Sequence, residues 1–415
     1  MKSLSMAEVQ KLPTMEELLK IIELNRKCFE LRGEWQFGDG EMYDKAKYMG
    51  LCSSFAPYCN YAGRDKFIVS RLRSKRFCFK PNLANAPFLF RGQNREYPHI
   101  ASAFERQDDD GKIISNLKTL DFAYFVKTHP LCRMFDNGIA LPSVRKTFFF
   151  EMNYYGLAQH YNFNTGLIDF SINPLVAAFF ATTQNLGNDV YVPIEDTTKY
   201  PYGVIYIHSI IPKITFQCFS TIGQQVFPRT GAQYGFFFQE KQCNINVGAM
   251  VRKLYFRHDA KCSRNIYSVF GGGRLLFPKD DLSGIAAEIN ASKDVSLSSF
   301  TENLYVNTTA SISSNLDACR RKGINVNPHL LYMFTPELLR SYYQDIKNGF
   351  WEEFCRPIFF HAPKGEVRLK DELLNLPKDQ HYRQYFDERY ADELYNYQLN
   401  LVRQRNNSLQ RNTIR

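Results

Sequence analysis

Two side chains able to move a proton or hold an anion lie close together in the middle of this chain of 415 residues. His160 falls in a polar segment typical of a helix, and Asp169 ends a short apolar run that predicts a strand. Asn173 and Pro174 then provide the cap and first position of an almost wholly apolar helix. Because the start of a buried helix presents unpaired N–H groups and partial positive charge, we expect an anion-binding site here.

A guanidinium can join this site from an earlier strand. The sequence FLFRG predicts a short apolar strand that stops at Gly92, with Arg91 at its end and Gln93 after it. A planar guanidinium in such a position can bind phosphate or carboxylate through two parallel hydrogen bonds. The alternative is a structural ion pair with a buried carboxylate, for which Asp169 is the obvious partner. The residues alone leave both interpretations open.

The other candidates have structural alternatives too. His160 lies among aromatic residues, where a histidine is often a hydrogen-bonded core residue. It can form a hydrogen bond with Asp169 without taking part in catalysis. An acid at the end of an apolar strand is usually buried and paired, although Asp169 can also act as a general base. Gln159 and Gln233 can likewise have a purely structural role, in which they form hydrogen bonds with backbone groups in the packed interior.

The composition indicates a core-forming, basic protein. Hydrophobic residues make up 44% of the chain, and the formal net charge of +10 favours anionic partners, although scattered basic residues also serve solubility alone. Ten cysteines without a CxxC pair predict reduced, buried thiols. We expect a cytoplasmic protein without a membrane span, because no apolar run approaches the roughly 20 residues that a membrane helix needs. No ligand cluster suggests a metal.

Three regions follow from the patterns along the chain. Residues 1–83 predict a helical N-terminal extension, opened by a capping box at Thr14 and Glu17. Residues 84–290 carry strand signals between helices, the strongest being YGVIYIHSI at 202–210. Residues 291–415 predict a polar linker or surface loop at 292–315, then helices and a basic tail that frays from Leu401. The predicted fold is α+β, with a mixed or antiparallel central sheet, packed helices and helical extensions at both ends.

Four motifs, in order, make the middle of the chain resemble the FRG domain family, named for its Phe-Arg-Gly motif. They are FLFRGQNREYPHIASAFER from residue 88, AQHYNFNTGLIDFSINPLVAAFFA from residue 158, FPRTGAQYGFFF from residue 227 and LLFPKDDLSGIA from residue 275. Gly166 and Phe170 stand where the family usually has a second basic residue and a tryptophan. The resemblance implies a polar cleft lined by Arg91, His160, Tyr161, Thr165, Asp169 and Gln233.

A more remote likeness is to ADP-ribosyltransferases. In those enzymes an Arg or His on an early strand contacts NAD, aromatic residues stack on nicotinamide, and a Glu on a later strand orients the ribose. The likeness implies that NAD is the cofactor, with Gln233 in the position of that Glu and Glu240 as a weaker candidate. The implied catalytic set is His160, Asp169 and Gln233. The implied NAD-binding set is Arg91, Gly92, Gln93, Tyr161, Thr165 and Asn173.

Different classes of function therefore stay open. In the first, a cleft for an NAD-like nucleotide supports transfer of ADP-ribose to a nucleic-acid or protein acceptor, in conflict between bacteria and phages. In the second, the same residues form a structural polar network in a non-catalytic module that binds nucleic acid or a protein partner. A nuclease or phosphodiesterase built on His160 and Asp169 is a third class, but the motif lacks a second acid or histidine for it.

Overall fold

The chain forms two compact units in a computed structural model that describes residues 4–32, 34–37, 41–44, 67–72, 74–81, 88–210, 218–239, 245–306, 311–359 and 366–413. Unit 1 consists of Met1–Ile68, Phe79–Ala101 and Leu167–Lys279. Unit 2 consists of Val69–Cys78, Ser102–Gly166 and Asp280–Arg415. Each unit is assembled from separated segments, whereas the predicted boundaries after residues 83 and 290 cut the chain into consecutive regions; those boundaries stay a prediction.

Unit 1 is built on a six-stranded antiparallel sheet. Its strands are, in chain order, β1 (Phe88–Gln93), β2 (Ile168–Ser171), β3 (Tyr202–Ser209), β4 (Phe219–Thr221), β5 (Gly235–Phe238) and β6 (Arg252–Arg257). The order across the sheet is β4-β5-β2-β1-β3-β6, and every neighbouring pair is antiparallel. The β-branched and aromatic run predicted as the best strand is β3, which lies between β1 and β6 because its side chains suit burial on both faces.

Gly92 brings the helix Pro174–Thr182 directly against β1. A Cβ atom on Gly92 would lie 1.8 Å from the carbonyl oxygen of Ala177, so only glycine allows this approach. Asn173 caps the helix, since its Oδ1 accepts a hydrogen bond from the Leu175 N–H at 3.0 Å. Because successive strand residues point to opposite faces, Gly92 on the helix side places Arg91 on the other face of the sheet.

The remaining elements of unit 1 surround this sheet. The predicted capping box is confirmed, because Thr14 and Glu17 exchange backbone-to-side-chain hydrogen bonds. The core includes Phe236, Phe237 and Phe238, all fully buried. The helices are Met6–Gln10, Met15–Arg32, Pro174–Thr182, Pro228–Gln233 and Ala260–Val269, with a 3-10 turn at Val247–Ala249. Two hairpins pair Glu34–Phe37 with Glu41–Asp44 and Thr183–Asn185 with Tyr191–Pro193.

Unit 2 is mainly helical. Its helices are Asp109–Lys127, Pro130–Asn137, Tyr154–His160, Asp281–Ala291, Leu297–Val306, Ile312–Lys322, Pro336–Lys347, Phe350–Cys355, Glu366–Leu374 and Ala391–Thr413. The 3-10 turns are Pro142–Val144, Leu376–Lys378, Arg383–Tyr385 and Glu388–Tyr390. Ile139–Leu141 pairs with Lys146–Phe148, and Asp294–Ser296 with Asn325–Asn327. Ile358–Phe359 is a further strand of unit 2, whereas the strands Phe67–Arg71 and Phe77–Pro81 each contain residues assigned to both units.

The α+β fold class is confirmed, with an antiparallel central sheet. The prediction of a linker at 292–315 is wrong, because the strand Asp294–Ser296 and the helix Leu297–Val306 lie there. Two of its serines are buried and bonded to a carboxylate: Ser296 and Ser299 both donate to Asp121. The tail does not fray at Leu401, since the helix from Ala391 runs to Thr413.

The helices and the cysteines of the described part of the chain bear on membrane insertion and on thiol chemistry. Every helix there is too short or too polar to cross a lipid bilayer. Six cysteines are free thiols with buried side chains: Cys78, Cys132, Cys218, Cys262, Cys319 and Cys355.

Replacing Gly92 with alanine tests the close approach of β1 and the helix. The added methyl group collides with a backbone carbonyl that cannot move away, so we expect Gly92→Ala to lower the free energy of unfolding by about 2 kcal/mol or more. The matched control is Gly284→Ala in the helix Asp281–Ala291, where nothing lies within 4 Å of an added Cβ. Alanine there should raise stability by roughly 0.5–1 kcal/mol. Equal effects in chemical denaturation would contradict the packing role of Gly92.

The buried carboxylate of Asp121 makes the stability of unit 2 depend on pH. Burial raises the pKa of Asp121 to about 6, although Ser296, Ser299 and Lys118 act in the opposite direction. The folded state therefore holds this proton more tightly than the unfolded state, and the stabilisation present at low pH is lost as pH rises through 6. The unfolding free energy of the wild type minus that of Asp121→Asn should fall by about 2 kcal/mol between pH 4.5 and 7.

Asp110→Asn is the control for this titration. Asp110 lies on the same helix, but its hydrogen bond with Arg321 lowers its pKa. Protonation of Asp110 therefore changes the stability only at pH values below this window. The difference between wild type and Asp110→Asn should stay nearly constant from pH 4.5 to 7. A constant difference for Asp121→Asn as well would show that Asp121 does not titrate as described.

Candidate functional site

The predicted site residues are divided between the two units. Unit 1 holds Arg91, Gly92, Gln93, Asp169, Asn173 and Gln233, and unit 2 holds His160, Tyr161 and Thr165. Contacts within each unit can be compared with the roles predicted for these residues. The convergence of all nine on one cleft stays a prediction.

Arg91 lies in a polar row that crosses three strands of the central sheet. Tyr206 of β3 pairs in register with Arg91 of β1 on one side and with Lys253 of β6 on the other. Residues opposite one another on antiparallel strands share a face, so the three side chains stand side by side. Arg91 is half-buried, and its guanidinium donates to the backbone carbonyl oxygen of Asp169 at 3.0 Å. Tyr206 is fully buried and Lys253 is exposed, so the row runs from the interior to solvent.

Glu96, which follows β1, attaches to the same row. Lys253 Nζ lies 2.6 Å from Glu96 Oε1, and the Tyr255 hydroxyl donates to the same oxygen at 3.0 Å. Only 8% of the Glu96 side chain is exposed. Burial and Glu96 together raise the pKa of Tyr255. We call the group formed by Arg91, Gln93, Glu96, Tyr206, Lys253 and Tyr255 the Arg91 cluster.

The Arg91 cluster contains buried polar oxygens without a hydrogen-bond partner among the described residues. The hydroxyl oxygen of Tyr206 and Oε1 of Gln93 are such atoms. Burial and the carboxylate of Glu96 raise the pKa of Tyr206 to about 12, against the opposite effect of Arg91. Tyr206 is therefore neutral near pH 7 and able to donate as well as accept. A buried polar group without a hydrogen bond lowers the stability of the folded state by about 1–3 kcal/mol. A ligand that forms hydrogen bonds with these two atoms would remove this cost.

Gly92, Asn173 and Asp169 have contacts elsewhere in unit 1. Gly92 packs on the Pro174 helix and Asn173 caps it, so both already have structural roles, and their contact with NAD stays a prediction. Asp169 pairs with Phe237 of β5, and its charge contributes to raising the pKa of Tyr191, although burial is the larger cause.

Gln233 lies in a structural network formed by the third motif. Its Nε2 donates to the carbonyl oxygen of Leu276 at 3.1 Å. Arg229, four residues earlier, donates to the carbonyl oxygen of Pro278 at 3.2 Å and forms an ion pair with Asp189 at 2.6 Å. The helix Pro228–Gln233 therefore holds the fourth motif in place. Sequence reasoning missed Arg229, although it stands in the proline-arginine pair of the third motif and is almost fully buried. Glu240 lies outside the described residues.

The three candidates of unit 2 lie at the end of the helix Tyr154–His160. His160 is its last residue and is 7% exposed. The hydroxyl of Tyr161 donates to Asp280, and that of Thr165 donates to Gln159. These bonds fix the loop between His160 and Thr165, which gives Tyr161 and Thr165 structural roles within unit 2.

Comparison with known proteins identifies the family of the central part. Residues 86–189 match the FRG domain. The chain contains an FRG domain. The match includes the first two motifs, hence both Arg91 and His160, whereas the motifs from residues 227 and 275 lie beyond it. No curated protein and no solved structure matches the chain.

The Phe-Arg-Gly residues for which the FRG domain is named point to both faces of β1. Phe90 belongs to the apolar core, Gly92 admits the helix, and Arg91 between them points to the polar cluster. Among the described residues, no group of three or more His, Cys, Asp or Glu side chains is placed to hold a metal ion. The Arg91 cluster itself contains a guanidinium, an ammonium, a carboxylate, an amide and two phenols.

Replacing Gln233 with glutamate distinguishes its structural role from the predicted catalytic one. A carboxylate cannot donate to the Leu276 carbonyl, so we expect Gln233→Glu to lower the free energy of unfolding by about 1–3 kcal/mol at pH 7. The protonated form can donate, so the folded-state pKa of the new acid is raised. The lost stability should return as pH falls through that pKa.

Gln239→Glu is the matched control for this change. The Nε2 of Gln239 donates to the Ser220 hydroxyl at 3.2 Å, and a hydroxyl can turn to donate to a carboxylate instead. The control should therefore lose less stability at pH 7. Equal losses in urea denaturation would contradict a structural role for the bond between Gln233 and Leu276.

Proposed function

We propose that the Arg91 cluster, to which the FRG domain contributes Arg91, Gln93 and Glu96, binds the phosphate and ribose part of a nucleotide, with NAD as the first choice. The observation that carries the proposal is the pair of buried, unpartnered oxygens of Tyr206 and Gln93 beside the Arg91 guanidinium. A guanidinium matches phosphate oxygens, while a phenol and an amide oxygen suit ribose hydroxyls, which both donate and accept. The half-buried positions of Arg91 and Gln93 leave this face open to a ligand.

The associated reaction is transfer of ADP-ribose to a nucleic-acid or protein acceptor. The bond between the ribose C1′ and nicotinamide breaks, and nicotinamide leaves with the bonding electrons. The acceptor nucleophile then bonds C1′ and loses its proton. A nearby anionic oxygen stabilises the positive charge that develops on the ribose. Glu96 is a better candidate than Gln233 for stabilising this charge, because Glu96 has a carboxylate whereas the amide N–H of Gln233 donates to the Leu276 carbonyl oxygen.

Other parts of the proposal concern the acceptor and the setting. His160, predicted from the sequence as a catalytic residue, is the candidate for taking the acceptor proton. The net charge of +10 suits a nucleic-acid acceptor. The biological setting proposed with this reaction is conflict between bacteria and phages, in the cytoplasm.

The second candidate function is a non-catalytic module that binds nucleic acid or a protein partner. It is favoured by the internal bonds of the charged residues: Arg91 reaches the Asp169 carbonyl, and Lys253 pairs with Glu96. In this alternative the cluster only ties the strands of the sheet together. Removing Arg91 would then destabilise the domain instead of only weakening nucleotide binding.

Tyr206→Phe separates the two functions. In a nucleotide site the lost hydroxyl should weaken NAD binding by about tenfold, as expected for one hydrogen bond. The melting temperature should stay the same or rise, because a buried unpaired hydroxyl is removed. Arg91→Gln should abolish measurable binding. Calorimetric titration with NAD and thermal melting of each variant provide the two readouts.

Tyr202→Phe is the control, because Tyr202 lies on the same strand and face but four residues away from Tyr206. Tyr202→Phe should change neither the affinity for NAD nor the melting temperature. Absence of NAD binding to the wild type, or equal affinity of wild type and Arg91→Gln, would refute the nucleotide site. Binding without transfer from labelled NAD would leave the binding module as the function.

A further inference from the structure

Unit 2 contains a cavity that was not predicted from the sequence, although Phe163 and Asn164 of the second motif are part of its lining. Its volume is about 510 Å³, within the range of roughly 300–1,000 Å³ typical of small-molecule sites. Ile114, Ser115 and Lys118 line it from the helix Asp109–Lys127, because residues three and four apart share a helical face. Asn290 and Ile324 contribute the facing wall.

The cavity carries a cation with unused hydrogen-bond capacity. Lys118 Nζ donates to the backbone carbonyl oxygen of Asn290, and an ammonium has three donors. Its other two donors have no acceptor among the residues that the structure describes. Burial is the main cause that lowers the pKa of Lys118, and the charge of Lys293 adds to it, whereas the charge of Asp121 acts in the opposite direction. The remaining lysine of the lining, Lys322, is paired with Asp108 at 2.7 Å.

The rest of the lining combines apolar and polar groups next to this cation. Ile114 and Ile324 are both partly exposed, and Gln107, Asn164 and Asn290 contribute amide groups. Ser115 is engaged with Gln107, to which its hydroxyl donates at 2.7 Å. A ligand therefore meets the ammonium group of Lys118 with two aliphatic side chains beside it. A desolvated ammonium beside apolar groups gains most from an anion that brings its own apolar part.

We propose that this cavity, the Lys118 cavity, binds a small aromatic acid whose carboxylate, sulfonate or phosphate meets Lys118 and whose ring lies against Ile114 and Ile324. All lining residues named here belong to unit 2, so the proposal is independent of nucleotide binding by the Arg91 cluster. The two proposals can fail separately.

A pair of fluorescent probes that differ in charge tests this site on the full chain. The anion 8-anilinonaphthalene-1-sulfonate should bind the wild type about tenfold or more tightly than its neutral analogue N-phenyl-1-naphthylamine, as expected for one charge-assisted bond. Lys118→Met should remove this preference for the anion, and Lys118→Arg should retain it. Ser115→Phe fills the cavity and should weaken binding of both probes.

Lys112→Met is the matched control for the loss of charge. Lys112 lies on the same helix, outside the cavity lining, 3.9 Å from Glu105. It should leave both affinities within about twofold, as expected for a surface ion pair. Thermal melting of each variant verifies folding. An unchanged preference for the anion in a folded Lys118→Met variant, or unchanged binding by a folded Ser115→Phe variant, would overturn the proposal.

Discussion

The close approach of β1 to the helix Pro174–Thr182 is the constraint on which the FRG domain of this chain depends. It requires a residue without Cβ at position 92, because the Ala177 carbonyl occupies the place where a side chain would begin. Once Gly92 faces the helix, strand alternation directs Phe90 to the same side and Arg91 to the other. One steric contact thus fixes both the packing of the sheet and the direction of its guanidinium.

Strand pairing then decides what surrounds that guanidinium. The register of β3 with its two neighbours sets Tyr206 between Arg91 and Lys253, and Glu96 closes the group through Lys253 and Tyr255. Most hydrogen-bonding groups in this row are satisfied internally. The Tyr206 hydroxyl and the Gln93 amide oxygen are buried without partners among the described residues, which is costly unless a ligand supplies them. This imbalance is what favours a binding site over a purely structural network.

Local signals predicted much of this arrangement. The cap at Asn173, the central strand at 202–209 and the α+β class all follow from residue types and spacing, because caps and buried strands depend on neighbouring residues. Tyr206, Glu96 and Lys253 were not identified, since their meeting depends on the register of strands far apart in sequence. The 292–315 prediction was wrong for a related reason: two of the serines that suggested a loop, Ser296 and Ser299, donate hydrogen bonds to Asp121, a distant buried acid.

Soaking crystals of the full chain with NAD would show whether the Arg91 cluster is a nucleotide site. We expect electron density for the nucleotide on the sheet face opposite the Pro174 helix, with a phosphate at the Arg91 guanidinium and hydrogen bonds between the ligand and Tyr206 and Gln93. Density for NAD only at another place, or none at saturating NAD, would contradict this expectation.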